Sequence, residues 1–214
     1  MGSVNRYCEI EYKCGDVVEV VRGNFPVGQN QALKRVLKLK RERGKRIYSS
    51  SSSRTRNRIR RLVNSNFSED SIFLTLTFKE NVLDGSYARK SFANFLKRLI
   101  YKYPRFSSYL YVIEKQKRGS FHFHILFFRG VSLEYSILSD LWGLGFIKVE
   151  SIRDIGNLGC YISSELSKDY QKMGIKGKRY GYSRNLNSFQ KSKSSSNILR
   201  SSRNLARNVN LYTA

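Results

Sequence analysis

Acidic residues are scarce in this chain. Sixteen Asp and Glu stand against 40 Lys and Arg in 214 residues, for a formal net charge of +24 and a pI near 10.2. A surplus of that size calls for a polyanionic partner. Nucleic acid is the main candidate, and an anionic membrane surface is the alternative. Long apolar runs are missing as well. None approaches the ~20 residues of a spanning helix, and the chain does not open on the apolar stretch of a signal peptide. The expectation is therefore a soluble protein of the cytoplasm with no membrane partner. Cysteine is limited to Cys8, Cys14 and Cys160. Three residues without a Cys-x-x-Cys pair exclude a zinc knuckle and a disulfide scaffold, and they read as reduced thiols. No Gly-x-x-x-x-Gly-Lys-Ser/Thr loop occurs, so these residues hold no helicase-type nucleotide site.

Histidine is almost absent, and both copies stand together. His122-Phe123-His124 lies inside the apolar run Phe121 to Phe128. In a strand, residues two apart share a face, so Phe121, Phe123 and Ile125 would pack while His122 and His124 stand side by side. Upstream, Tyr109 to Gln116 reads as a strand of aromatic and β-branched residues. A three-residue loop, Lys117-Arg118-Gly119, pairs Gln116 with Ser120 and hence Glu114 with His122. Glu114, His122 and His124 then share one face, where imidazole and carboxylate suit a divalent metal. A two-residue Arg118-Gly119 turn would send Glu114 to the other face, so the metal site depends on loop length.

The surrounding pattern predicts an α+β fold. Strand Ser71–Phe78, helix Ser86–Tyr101, the hairpin Tyr109–Gln116 and Ser120–Phe128, helix Ser132–Trp142 and strand Gly145–Ser151 form a split βαβ unit, ferredoxin-like in order. Its antiparallel sheet would carry helices on one face and leave the other open for chemistry. A third helix follows at Asn157–Tyr170. We divide the chain into a basic N-terminal extension (1–68), the catalytic-type domain (69–190) and a tail (191–214) read as a disordered basic arm. The extension holds strand-like pieces at Tyr7–Tyr12 and Val17–Val21, a helix at Gln29–Arg43, and five serines, Ser49–Ser53, read as a flexible joint. Arg54, Arg56, Arg58, Arg60 and Arg61 follow with few balancing acids, which favours phosphate contact over a merely solvated face.

The third helix offers a nucleophile, Tyr161, seven residues before Lys168 and on the same helix face. A phenol with pKa ~10 needs a nearby cation to attack. On position alone, one tyrosine among 14 carries little weight. The ordered motifs carry more. Phe73-Leu-Thr-Leu-Thr-Phe78, then Glu114 with His122-Phe-His124, then Gly159-Cys-Tyr161-Ile-Ser-Ser-Glu-Leu-Ser-Lys168, together resemble HUH-type rolling-circle replication initiators. The closer likeness is to the replication-associated proteins of small bacterial plasmids and filamentous-type phages. It runs from about Arg54 to Arg184 and includes Leu-Trp142-Gly-x-Gly-Phe and Arg179-Tyr-Gly-Tyr-Ser-Arg184.

The resemblance implies an enzyme that nicks and rejoins single-stranded DNA at an origin hairpin. It assigns Mg²⁺ or Mn²⁺ to Glu114, His122 and His124, and a 5′-phosphotyrosine link to Tyr161, with Lys168 as the supporting cation. Thr75 and Thr77 fall in the motif associated with origin recognition. Lys117, Arg118, Tyr180 and Arg184 join the arginines as DNA-facing residues. A host helicase and replication machinery would be partners. Two positions depart from the family pattern: Ser164 stands where such proteins often carry Lys, and Glu165 where they often carry a second Tyr. A single-tyrosine transposase, a DNA-binding protein that has lost catalysis, and a metallonuclease using water remain as alternatives.

Overall fold

The computed structural model describes residues 7–23, 47–129, 134–152, 177–196 and 209–213. The helices expected at Gln29–Arg43 and Asn157–Tyr170 lie outside them. The chain divides into two units, Met1–Ser65 with Ser188–Ala214, and Asn66–Asn187.

The first unit is an antiparallel sheet of β1 (Tyr7–Cys14), β2 (Val17–Gly23), β8 (Gln190–Ser196) and β9 (Val209–Thr213), in the order β8-β1-β2-β9. Its helix, α1, spans Ile47–Asn66. Two expectations change here. The serine run is not a joint: it lies inside α1. Serine only weakly disfavours a helix, and α1 buries Ile59, Leu62 and Val63, so packing decides its conformation. Nor is the tail only an arm, because β8 pairs with β1 and β9 with β2. Gln190-Lys-Ser-Lys-Ser-Ser-Ser196 has no apolar alternation to reveal a strand. What recruits it is the row of backbone groups along β1.

A buried ion triad ties α1 to β2. Glu19 is 2% exposed, and its carboxylate accepts hydrogen bonds from Arg60 Nη2 at 2.7 Å and from Arg61 Nη2 and Nε at 2.8 and 3.1 Å. The Arg61 guanidinium also lies 3.2 Å from the centroid of the Tyr12 ring, a cation–π contact. Burial pushes the Glu19 carboxyl up, but the hydrogen bonds from Arg61 and Arg60 outweigh it and hold the group below its ordinary value. Its contribution is therefore present above the usual carboxylate range and is lost as pH falls through the lowered value. Glu19→Ala would strand two guanidinium groups in a buried setting and should destabilise this unit by about 3–5 kcal/mol. Hydrogen exchange of the β1 and β2 amides would read that loss; unchanged protection would mean that the triad is not structural.

The second unit carries β3 (Ile72–Phe78), α2 (Gly85–Lys102), β4 (Tyr109–Lys115), β5 (Phe121–Phe127), α3 (Tyr135–Trp142), β6 (Gly145–Ser151) and β7 (Tyr180–Tyr182). The first six follow the split βαβ order. The antiparallel sheet runs β6-β3-β5-β4-β7, with β7 added at the β4 edge. Alternation sorts the strands into two faces. Leu74, Leu76, Phe78, Ile113, Phe121, Phe123, Ile125, Phe127 and Ile147 form one core with Phe92, Phe95, Leu96 and Leu99 of α2 and Leu138 and Trp142 of α3. Phe92 stacks on Phe123 with centroids 4.4 Å apart. Burial of each such side chain contributes about 1.5–3 kcal/mol.

Local signals set the element ends. Asp84 caps α2 by accepting a hydrogen bond from the Ser86 amide at 2.8 Å. Gly143, at φ +63°, closes α3 in the left-handed conformation. Asn66 and Asn187, the first and last residues of the unit, hold each other: Asn66 Nδ2 donates to the Asn187 carbonyl at 2.9 Å, and the Asn187 amide donates to Asn66 Oδ1 at 2.7 Å. Among the described residues, no helix is long and apolar enough to cross a membrane.

Candidate active site

The hairpin between β4 and β5 decides which carboxylate meets the histidines. The Gly119 amide donates to the Gln116 carbonyl at 2.8 Å, and the Gln116 amide donates to the Ser120 carbonyl at 2.8 Å. That closes a three-residue loop with Gly119 at φ +88°, a conformation suited to glycine. Arg118 braces the turn: Nη2 donates to the Phe78 carbonyl and Nε to Gln116 Oε1, both at 2.9 Å. Glu114 therefore pairs with His122 and Val112 with His124. On the other side of β5, Thr77 pairs with His122 and Thr75 with His124. The face turned away from the helices thus carries Thr77, His122 and Glu114 in one cross-strand row, and Thr75 and His124 in the next.

The side chains are knitted together. His124 Nε2 lies 3.1 Å from Glu114 Oε2, and its Nδ1 lies 3.1 Å from Thr75 Oγ1. With the Thr75 hydroxyl donating to Nδ1, the Nε2 proton goes to Glu114. Because a hydroxyl both donates and accepts, Thr75 can equally support the other tautomer, in which Nε2 is free to ligate. Thr77 Oγ1 is hydrogen-bonded with His122 Nε2. Phe73 stacks on the His124 ring at 5.7 Å and 12°. Burial, together with His124 and Arg118, pushes His122 down to about 4 against the pull of Glu114. At neutral pH it is an uncharged imidazole, the form that binds metals.

The donor types, two imidazoles and one carboxylate, suit a divalent ion, and the threonines resemble the outer partners that orient ligating histidines. Among the described residues, however, no three His, Cys, Asp or Glu side chains already form a metal's ligand shell. His124 and Glu114 meet, while His122 Nε2 is engaged with Thr77.

The face is less open than expected. Leu110, Val112 and Leu126 lie on it and are buried, whereas the side chains of His124 and Glu114 are 22% and 23% exposed. The cluster sits where a covered apolar half gives way to an accessible one.

The other candidate residues separate into groups. Arg54 and Arg58 are exposed on α1, and Arg56 donates to Ser53 Oγ at 3.1 Å. Arg60 and Arg61 both bond to Glu19, whose single negative charge offsets one of their two positive charges inside the first unit. Thr75 and Thr77 meet the histidines. Lys117 and Arg118 are exposed on the hairpin turn, and Arg184 on the turn after β7. Tyr180 lies on β7 opposite Val112, with its ring 6.4 Å from that of Tyr182. Tyr161 and Lys168 lie outside the described residues.

Sequence reading missed Gly145, which pairs with Phe78. A Cβ there would fall 2.3 Å from the Thr77 carbonyl oxygen. The glycine lets β6 lie close against the strand that carries both threonines, and its place in Trp142-Gly-x-Gly was the only signal.

No curated protein and no solved structure matches the chain. Residues 71–170 match the family model described as replication-associated protein ORF2/G2P, a span that holds the whole cluster and Tyr161. Over that span the chain is similar to the replication-associated protein ORF2/G2P family, a likeness consistent with a rolling-circle replication initiator.

Proposed function

We propose that this protein initiates rolling-circle DNA replication by nicking and rejoining single-stranded origin DNA through a covalent tyrosine intermediate. The observation that carries the reading is the cross-strand row of Glu114, His122 and Thr77 beside His124 and Thr75, inside the matched family segment.

In this reading Glu114, His122 and His124 hold Mg²⁺ or Mn²⁺, which when bound polarises a phosphoryl oxygen and offsets charge in the transition state. Thr75 and Thr77 fix the imidazole rings. Tyr161 Oη forms a bond to phosphorus as the bond to the 3′ oxygen breaks. The phenolic proton passes to solvent and the departing oxygen takes one up, leaving a 5′-phosphotyrosine and a free 3′ hydroxyl that primes synthesis. Attack by a 3′ hydroxyl on the phosphotyrosine reverses the step and rejoins DNA. Lys168 supplies the cation that favours the phenolate. Strand separation is assigned to a host helicase, since these residues hold no nucleotide loop.

The test is a denaturing gel of the full chain with labelled single-stranded DNA from its replicon's origin. A protein–DNA adduct that appears with Mn²⁺ and vanishes with EDTA is the expected result. Cleavage without an adduct would replace the tyrosine with water, and binding without cleavage would leave a DNA-binding protein.

The basic helix has its own expected outcome. Replacing Arg54, Arg56 and Arg58 together with Ala should flatten the dependence of log K on log salt by about 2, from three single-strand phosphate contacts. Filter binding between 50 and 200 mM salt, roughly the range over which such contacts act, would measure it. An unchanged slope would make the segment a solvated face.

A further inference from the structure

Phe146 is an apolar side chain left largely exposed, placed in line with the cluster. It is 64% exposed and pairs with Thr77, which pairs with His122, which pairs with Glu114. The four residues form one row across β6, β3, β5 and β4, on the face turned from the helices. Two strand spacings, about 10 Å, separate Phe146 from His122, roughly the reach of one or two nucleotides. Other exposed aromatic side chains, including Tyr87, Tyr101 and Tyr135, project from the helices. Among the described residues, Tyr182 is the other large exposed apolar side chain on this face, at the opposite edge beside Tyr180.

An exposed phenyl ring on an edge strand lowers solubility and invites aggregation, which makes its placement informative. Its ring can accept the face of a nucleobase, a contact that tolerates any sequence. The net charge of +24 supplies attraction for the backbone, while Lys148, the next residue of β6 on this face, is paired with Glu150 at 2.7 Å.

We infer that Phe146 is a base-stacking residue that holds a nucleotide of single-stranded DNA beside the Glu114, His122 and His124 cluster. The inference rests on the proposed nicking function for its choice of ligand, but stacking can be measured without catalysis.

The probe is fluorescein-labelled dT16 in EDTA, so that no nicking occurs. Phe146→Ala should weaken binding roughly 5- to 150-fold, the loss expected of one base–aromatic stack, with an unchanged salt slope because no phosphate contact is lost. Phe146→Leu should resemble Ala, and Phe146→Trp should restore binding. The chain's one tryptophan, Trp142, is buried, so a Trp at 146 would dominate the solvent-sensitive emission, and dT16 should quench it. Wild-type affinity in Phe146→Ala or Phe146→Leu, or no quenching in Phe146→Trp, would overturn the inference. A 16-mer of abasic sites should bind wild type and Phe146→Ala alike; a difference would assign Phe146 to the backbone instead. An adduct-negative wild type would sink the nicking reading and leave these outcomes unaffected.

Discussion

Tyr161→Phe should form no covalent adduct, a loss of at least about 10³-fold in rate, while binding single-stranded origin DNA within a few-fold of wild type. The substitution removes one oxygen and keeps the ring. Packing and any stacking by that ring survive, and the atom that would bond to phosphorus does not. The loss should be almost complete because a phenol is replaced by a group with no nucleophilic atom, whereas changes around a nucleophile only weaken it. A denaturing gel reads the adduct and fluorescence anisotropy reads the binding. A persistent adduct would move the nucleophile elsewhere, first to Tyr170. Lys168→Ala gives the graded counterpart: it should slow the reaction and shift its pH profile upward, since a phenol deprived of its cation ionises at higher pH.

His124→Ala should reduce nicking by about 10²–10⁴-fold, the equivalent of several kcal/mol of lost charge stabilisation. Of the two histidines it is the more deeply woven, lying between Thr75 and Glu114 at 3.1 Å each. Its removal leaves Thr75, which is mostly buried, without that partner, at a cost of about 1–3 kcal/mol in stability. Mn²⁺ titration by calorimetry should show weakened binding. Thr75→Val separates orientation from ligation, because it keeps the imidazole and frees its ring. A loss of about 10- to 100-fold in metal affinity is expected there. Normal cleavage by His124→Ala would remove the metal site from the mechanism.

Legibility in the sequence followed the range of each interaction. The Glu114–His122 register was readable because a turn of three residues fixes it, and every link lies within ten positions. The split βαβ order was readable because the core of Phe123, Ile125, Phe92 and Leu96 obeys strand and helix periods. Glu19 and its arginines lie 41 and 42 residues apart, so no local pattern announced that two of the five arginines share a buried carboxylate. Burial of Leu110, Val112 and Leu126 on the face that carries the histidines was equally hidden, because alternation names a face without saying what lies over it. Phe146 read as one more strand residue, since exposure is a property of the sheet's edge.

The Asn66–Asn187 clasp and the origin of β8 and β9 impose an order on biogenesis. As the chain emerges from the ribosome, the Asn66–Asn187 unit has its last described strand once Tyr182 has appeared. The sheet of the other unit must wait for Thr213, which at about 5–20 residues per second is a delay of a few seconds. Until β8 and then β9 emerge, the β1–β2 hairpin has unpaired edges, a state open to trapping by a chaperone or by another nascent chain. The inserted unit has no such dependence, and its adjoining ends make it a natural candidate for excision and expression alone.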